Sequence, residues 1–447
     1  MKRKFRPFLT VLLGLMMSVV GISTASAATL NSDGVLVDQN GTDPVKAAIT
    51  KILQMPVGTA IPNSQFIYKV APISVDGDAG QKSIMPALGA AGDNTVTINF
   101  APGASAVTPA LASGDDAYFV ESGDIFANMS PTFFPHAGVY VYEITEKSRT
   151  NATIDSDPNQ ELTYSQAKYT LNVYVGNAPS GTGTYIYALG TVYNTTDDNA
   201  SAGDVKVDPT PGTSNISGKY SQMMFTNTYV HTNGPVDPED PITPPVDPGD
   251  PDNATLTVSK TVAGTLGDKT AYFDLSATIT PPALQQNVPT AYRAYVVDSA
   301  NAVVTTASNG TIAGSDEFGN YLEIAPGSPT SFKLMDGQRL VVVNAAVGST
   351  YTVTESASDH VPSVIVTTKS VVTTPTPSSA AVRNPLDTGS QHVGEPTNTV
   401  AFTNTRDLPA LTGLSMNDLP FVGLIVLTLG ALGAYIVVKS RKAKARG

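Results

Sequence analysis

The segment TLTVSKTV, residues 255–262, constrains the fold most strongly, because its polarity alternates with a single exception. Thr and Ser alternate with Leu256, Val258 and Val262, and Lys260 takes the remaining position of the apolar set. Successive side chains of a β-strand point to opposite faces, so Lys260 shares the core-facing side with these aliphatic residues. A buried ammonium is costly unless it is paired or loses its proton. The segment therefore predicts a strand whose lysine meets a specific partner inside the core.

Alternating runs of this kind recur through most of the chain and are separated by turns rich in Gly, Asn, Asp and Pro. Many short strands at such spacing predict an all-β protein made of β-sandwiches, and a chain of 447 residues is long enough for two of them. The clearest runs are QFIYKVAP, TVTINF, KYTLNVYVG, TYIYALGTVYN, AYFDLSATIT, AYRAYVVD, FKLMDGQRLVVVN and SVIVTTKSVV. No long amphipathic helix is expected between the two apolar ends of the chain.

The order of three short motifs occurs twice, on either side of a segment rich in Pro and Asp. Each half opens with a strand that contains a lysine, AITKIL and LTVSKTV, and closes with MMFTNTY or VAFTNTR. Between them lie GVYVYEITE and GSTYTVTES. A duplicated order of three elements indicates two copies of one plan. We expect a first domain at 28–232, an extended linker at 233–253 and a second domain at 254–407.

In the second half, the period of two places three polar side chains on the core face. Glu355 shares a face with Tyr351 and Val353, and Asn404 lies on the face of Phe402. Together with Lys260, they predict one buried cluster.

The first half gives the same prediction for Lys51, Glu146 and Asn227. Glu146 falls in phase with the apolar residues of GVYVYEITE, and Asn227 in phase with those of its own strand. Lys51 is less clear because Ile52 is also apolar. Glu143, on the opposite face, and Lys46 are weaker alternatives.

Burial favours the neutral amine of a lysine and the neutral acid of a glutamate. A neutral amine is a nucleophile, and a protonated carboxyl can hydrogen-bond to an amide oxygen and transfer protons. The amine could then attack the side-chain carbonyl of the asparagine with loss of ammonia. The pattern predicts a single-turnover reaction that gives a Lys–Asn isopeptide bond. The simpler interpretation is a lysine that reaches water and an asparagine in a turn.

These motifs resemble the CnaB-like, immunoglobulin-type isopeptide domains of Gram-positive pilus backbone proteins. The resemblance covers nearly all of residues 45–447 and implies two tandem immunoglobulin-like sandwiches. It implies that Glu146 and Glu355 are the catalytic carboxyls of self-cross-linking. It also implies bonds from Lys51 to Asn227 and from Lys260 to Asn404.

Both ends of the chain are apolar. Residues 1–27 have a basic start, an apolar core and a small-residue site between Ala27 and Ala28, as in a cleaved secretion signal. Residues 419–438 are long and apolar enough to span a bilayer, and the basic tail that follows stays on the cytoplasmic side. A retained N-terminal anchor and a permanent C-terminal anchor are the alternative interpretations.

The segment LPALTG at 408–413 resembles a sortase sorting signal, although it has one extra residue between Pro409 and Thr412. The resemblance implies cleavage between Thr412 and Gly413 and transfer of the Thr412 carbonyl to an amine. In a pilus backbone that amine belongs to a lysine near the closing strand of the first domain, and Lys219 is the candidate by position. A solvated lysine at a strand end is the alternative.

Composition excludes several other functions. The chain has no cysteine, so thiol catalysis and disulfides are ruled out. Its 38 acidic and 26 basic residues, with many of the basic ones at the two ends, argue against a nucleic-acid partner. The four histidines form no metal pattern, and we expect no metal and no cofactor.

The sequence therefore predicts a structural protein exported to the cell wall, the polymerising shaft subunit of a sortase-assembled pilus, held for a time at the membrane by its C-terminal span. The expected partners are sortase, copies of itself, cell-wall peptidoglycan, minor pilins and host surface ligands. The alternative is a monomeric wall-anchored adhesin that binds a host or matrix ligand. An exported enzyme is disfavoured because no recognisable catalytic set for turnover is present.

Overall fold

The protein is described by a computed structural model. It covers residues 29–30, 36–37, 46–89, 93–102, 116–127, 134–148, 154, 159–178, 181–216, 218–232, 248–249, 254–368, 378–395, 398–408 and 419–444. The expected signal cleavage site at Ala27 and Ala28, the sorting residues Thr412 and Gly413, and most of the linker lie outside these residues.

The N-terminal sandwich, residues 46–232, packs a six-stranded sheet against a four-stranded sheet, and a two-residue pair precedes it. Its strands, with that pair as β1 and β2, are β1 (Thr29–Leu30), β2 (Leu36–Val37), β3 (Ala48–Pro56), β4 (Ser64–Val75), β5 (Thr95–Phe100), β6 (Asp116–Asp124), β7 (Gly138–Glu146), β8 (Gln160–Thr163), β9 (Lys168–Asn177), β10 (Thr184–Thr195), β11 (Ser201–Val207) and β12 (Met224–His231). The larger sheet has the order β11-β10-β9-β7-β4-β5, and the smaller one has the order β6-β3-β12-β8.

The C-terminal sandwich, residues 254–406, packs an eight-stranded sheet against a five-stranded sheet. Its strands are β13 (Leu256–Ala263), β14 (Phe273–Thr280), β15 (Tyr292–Val297), β16 (Gly314–Asp316), β17 (Gly319–Ile324), β18 (Thr330–Leu334), β19 (Arg339–Val342), β20 (Thr350–Glu355), β21 (Val361–Thr368), β22 (Ser378–Ser379), β23 (Leu386–Asp387), β24 (Gln391–His392) and β25 (Asn398–Thr405). The orders are β16-β17-β15-β19-β13-β25-β21-β22 and β18-β14-β20-β23, with β24 also paired to β20.

The mostly β fold predicted from alternation is confirmed. Among the described residues between the two ends of the chain, the longest helical segment is a 3₁₀ helix, Ala79–Ile84. The alternation is followed most closely where one face of a strand is buried, as in β13, β20 and β25, whose burial alternates residue by residue. One side of each such strand contributes to the core of its sandwich, and the other side is partly open to solvent.

Two strands depart from the expected pattern for identifiable reasons. All nine residues of β3 are buried, because Ile52 packs on the outer face with Tyr118 and Val120 while Leu53 packs into the core. The run FKLMDGQRLVVVN is not one strand. A turn with Gly337 at φ 77° divides it into β18 and β19, which belong to different sheets.

The first and last strands of each sandwich lie side by side. β3 pairs with β12 in parallel, with Lys51 opposite Phe225, and β13 pairs with β25 in parallel, with Lys260 opposite Phe402. The central strands β7 and β20, which carry Glu146 and Glu355, belong to the opposing sheets. This topology brings residues that are far apart in sequence to the centre of each sandwich.

The two sandwiches meet where β12 ends. Thr232 forms a bridge with Ala346, the Val347 amide donates to the His231 carbonyl at 2.9 Å, and the His231 ring lies 3.1 Å from the Glu395 carboxylate. A Cβ at Gly348 would lie 2.1 Å from the Cβ of Pro56, so this contact requires glycine.

Beyond the C-terminal sandwich the chain forms one long helix, α1 (Leu419–Lys444). Its segment Pro420–Lys442 is long and apolar enough to cross a bilayer, which agrees with the span expected at 419–438.

Candidate functional site

The C-terminal sandwich encloses a cluster of Lys260, Glu355 and Asn404. The Lys260 Nζ donates to both carboxylate oxygens of Glu355, at 2.9 and 2.8 Å, and the Asn404 Nδ2 donates to the Glu355 Oε1. The lysine and glutamate side chains are at most 1% exposed. The Phe273 ring covers the ammonium, with its centroid 4.1 Å from the Nζ. The cluster therefore joins the first strand, the last strand and the opposing sheet in a site closed to water.

The N-terminal sandwich encloses a matching cluster of Lys51, Glu146 and Asn227. The Lys51 Nζ donates to the two oxygens of Glu146 at 3.1 and 3.0 Å, and the Asn227 Nδ2 donates to the Glu146 Oε1 at 2.8 Å. Both charged side chains are fully buried. The Phe66 ring covers the Lys51 ammonium, with its centroid 4.5 Å from the Nζ. All six residues that the period of two places on core faces thus form two similar clusters.

The orientation of the asparagines differs from the expected one. We expected the carboxyl to hydrogen-bond to the carboxamide oxygen, but in both clusters it accepts from the carboxamide nitrogen. Consequently, one carboxylate oxygen touches both the lysine nitrogen and the amide nitrogen. A carboxyl in this position can transfer a proton directly from the attacking amine to the departing nitrogen.

Burial shifts the pKa values of Lys260, Lys51 and Glu146 in the direction that favours the neutral form of each group. Desolvation lowers the pKa of Lys260 to about 8, against the opposing effect of Glu355. Desolvation likewise lowers the pKa of Lys51, against the attraction of Glu146, and raises the pKa of Glu146. Proton transfer from ammonium to carboxylate is therefore much less costly here than in water.

Such a cluster is arranged for amide exchange. Attack of the neutral amine on the asparagine Cγ forms an N–C bond, the Cγ–Nδ2 bond breaks, and the proton lost by the amine leaves with the nitrogen as ammonia. The glutamate receives and returns protons, so it ends in the state in which it began. Strand pairing supplies proximity, and the aromatic cover excludes the water that would compete.

The other residues singled out by the sequence lie away from the clusters. Lys219 is largely exposed, and its Nζ contacts the Glu121 carboxylate at 2.5 Å. Lys46 is exposed just before β3, and Glu143 is on the partly exposed face of β7. Neither alternative enters a cluster.

Sequence reasoning missed two residues beside the N-terminal cluster. The Ser165 amide N–H donates to the Asn227 Oδ1 at 2.7 Å, and the buried carboxylate of Asp197 accepts from the Ser165 hydroxyl. Both residues lie in turns between strands, where Ser and Asp are ordinary, and no sequence signal distinguishes them.

Comparisons with known proteins cover both halves of the chain. A family profile described as a domain of unknown function (DUF7601) matches residues 254–406. A protein named pilin from Streptococcus pyogenes serotype M1 is 24% identical over 433 residues, which cover 96% of this chain and 98% of that protein.

Two solved structures of major pilins match most of the length of this chain. The major pilin from Streptococcus pyogenes is 18% identical and matches 82% of this chain and 100% of that chain, with a TM-score of 0.29. The major pilin T3.2 from Streptococcus pyogenes serotype GAS13637 is 18% identical and matches 81% and 98% of the two chains, with a TM-score of 0.28.

Proposed function

We propose that this protein is the shaft subunit of a covalent surface pilus, stabilised by one Lys–Asn isopeptide bond in each sandwich. The observation that carries the proposal is the duplicated buried cluster, in which a Lys on the first strand and an Asn on the last strand share one carboxylate. A buried Lys–Glu pair is weak support for stability by itself. The same pair beside a carboxamide, present twice, is well suited to a covalent cross-link.

The similarity to the Streptococcus pyogenes pilin supports a pilus subunit, since it extends over 96% of this chain and 98% of that protein. The proposal has three further steps. The chain is exported through its N-terminal signal, is held for a time in the membrane by α1, and is finally attached to the cell wall. The protein acts as a structural element, and each cross-link forms once without turnover.

The positions of Lys219 and the C-terminal segment support polymerisation from end to end. Lys219 precedes β12, whose far end contacts the C-terminal sandwich. Leu408 follows the C-terminal end of β25. The N-terminal end of β25 pairs with Thr257, close to the contact between the two sandwiches. Lys219 and Leu408, the last described residue before Thr412, therefore lie at opposite ends of the two-sandwich unit, which favours joining the tail of one copy to the head of the next.

The proposed joining reaction is a transpeptidation. A sortase breaks the Thr412–Gly413 peptide bond and transfers the Thr412 carbonyl to the Lys219 Nζ of another copy, which forms an amide and releases the segment that starts at Gly413. The hydrogen bond to Glu121 raises the pKa of Lys219, so the amine must lose its proton in the sortase complex. Minor pilins, host ligands and peptidoglycan are the further partners that this function includes.

A denaturing gel of cell-wall extracts tests the function. We expect a ladder of boiling-resistant multimers from the unmodified chain and a single band from Lys219→Arg. Lys206→Arg is the matched control, because Lys206 is an exposed lysine on β11 of the same sandwich. It should leave the ladder unchanged.

A single band from the unmodified chain would contradict the shaft function and favour the monomeric adhesin. A ladder that persists in Lys219→Arg would leave the polymer intact and reject Lys219 as the acceptor. A binding assay with host surface ligands then addresses the adhesin directly.

A further inference from the structure

A second acid lies beside the N-terminal cluster. Asp197 is 8% exposed and lies in the turn between β10 and β11. Its carboxylate accepts from the Ser165 hydroxyl and from the Thr226 amide N–H at 2.9 Å, and its carbonyl accepts from the Gln166 amide at 2.9 Å. One aspartate thus connects the turn between β8 and β9 to the closing strand that carries Asn227.

These contacts fix the direction of one backbone N–H. The Ser165 hydroxyl, held by Asp197, also accepts from the Ala167 amide at 3.1 Å, so the turn is tied at several points. In this conformation the Ser165 amide N–H points at the Asn227 Oδ1, at 2.7 Å, and Ser165 is 4% exposed. The donor is therefore rigid and shielded from water.

We propose that Asp197 is a positioning residue for the first cross-link, because it orients the Ser165 N–H as an oxyanion donor to Asn227. This inference rests on the proposed isopeptide chemistry. When the Lys51 nitrogen adds to the Asn227 Cγ, the C=O electron pair moves to the Oδ1, and the Ser165 N–H stabilises the negative charge that develops there. The C=O bond re-forms as the amide nitrogen leaves with a proton relayed by Glu146. A donor fixed in advance needs no reorganisation during the reaction.

The C-terminal cluster has no counterpart to this donor within the residues that the structure describes. There the Asn404 Oδ1 is buried without a hydrogen-bond partner. The two cross-links therefore use the same Lys, Glu and Asn but differ at the carbonyl oxygen. We expect the first bond to depend on Asp197 and the second to be independent of it, which provides an internal reference in every molecule.

The test follows both bonds in newly made full-length chain. Cell-free synthesis in the presence of lipid nanodiscs is stopped in denaturant at successive times, and peptide mass spectrometry quantifies the Lys51–Asn227 and Lys260–Asn404 peptides. In Asp197→Ala the first bond should form at least about tenfold more slowly, since loss of one oxyanion donor typically costs 10²–10³ in rate and this donor is misdirected rather than removed. The second bond should form at its usual rate.

Three variants separate positioning from folding. Asp197→Asn keeps an acceptor oxygen in the same shape and should restore much of the first-bond rate. Ser165→Ala removes the anchoring hydroxyl but keeps the amide, and should give an intermediate rate. Asp198→Ala is the matched control, because the Asp198 side chain in the same turn is exposed and accepts from Thr196 outside the cluster.

Folding is measured separately in a Lys51→Ala background, where the first bond cannot form. There, the change in unfolding temperature caused by Asp197→Ala reports only the structural role of the carboxylate. An unchanged first-bond rate in Asp197→Ala would overturn the inference, as would equal slowing of both bonds. Absence of the first bond from the unmodified chain would instead contradict the proposed function.

Discussion

Removal of the Glu355 carboxyl should have two separable effects on the C-terminal sandwich. Glu355→Ala eliminates the proton carrier, so the Lys260–Asn404 bond should not form. It also leaves the Lys260 amine buried beneath Phe273 without its partner. The double replacement Lys260→Met with Glu355→Leu also lacks the bond but removes both charged groups, while the Asn404 Nδ2 keeps its 3.3 Å hydrogen bond to the Ser358 Oγ. Comparison of the two variants therefore separates the covalent effect from the electrostatic one.

The size of each effect follows from the structure. The bond would close a loop from residue 260 to residue 404, and a cross-link over a loop of that order stabilises the fold by roughly 5 kcal/mol. The apolar double variant should lose about this amount, which corresponds to a decrease of roughly 10–20 °C in unfolding temperature for a domain of this size. Glu355→Ala should lower the free energy of unfolding by about 3–5 kcal/mol more, because the Lys260 amine stays buried without its carboxylate partner.

Differential scanning calorimetry of the full chain in detergent measures both values, and the N-terminal sandwich acts as an internal reference. Glu323→Ala is the matched control, since Glu323 is an exposed glutamate on β17 of the same sandwich. The unfolding temperature of the C-terminal sandwich in Glu323→Ala should remain near that of the unmodified chain. If the double variant unfolds at the unmodified temperature, no covalent bond contributes to stability and the reasoning fails.

Three further predictions concern the same sandwich. The formation rate of the second bond should fall as pH rises above about 8. The reactive amine–acid pair holds the same single proton as the ion pair, and it loses that proton as pH rises through the Lys260 pKa of about 8. A rate that keeps rising above this pH would contradict a shared proton. Phe273→Ala should admit water, raise the Lys260 pKa and lower the formation rate of the second bond without changing that of the first. Peptide mass spectrometry measures both rates, and an unchanged rate for the second bond would show that the Phe273 ring is unnecessary. When optical tweezers pull the chain between Lys219 and the C-terminus, the bonded C-terminal sandwich should not unfold. The Glu355→Ala variant should extend by roughly 500 Å as residues 261–403 unravel. Equal extension of both chains would show that the bond does not carry the applied force.

The sequence was informative where burial imposes a period of two. Lys260, Glu355 and Asn404 each follow the phase of their apolar neighbours, so their core-facing positions were predictable one strand at a time. Their convergence was predictable only because the order of motifs repeats. No single motif specifies which strands become neighbours, since β13 and β25 pair across more than a hundred residues of sequence, as in Thr257 opposite Thr399.

The rest depends on tertiary structure. The alternation around Lys51 was ambiguous because β3 is buried on both faces, which a single strand cannot reveal. The orientation of the Asn227 amide is set by the Ser165 N–H on one side and the Glu146 carboxylate on the other. Asp197 is an acid in a polar turn, a position that is ordinarily solvated, and it enters the core only because the β10–β11 turn folds over β12.

The intact mass of the purified, denatured chain tests the central claim most directly. Each Lys–Asn bond removes one molecule of ammonia, so the unmodified chain should weigh two ammonia molecules less than its sequence requires. Lys51→Ala and Lys260→Ala should each lack only one, and the double variant should have its full calculated mass. A full calculated mass for the unmodified chain would contradict the account, since the two buried clusters would then be ion pairs and not sites of covalent cross-linking.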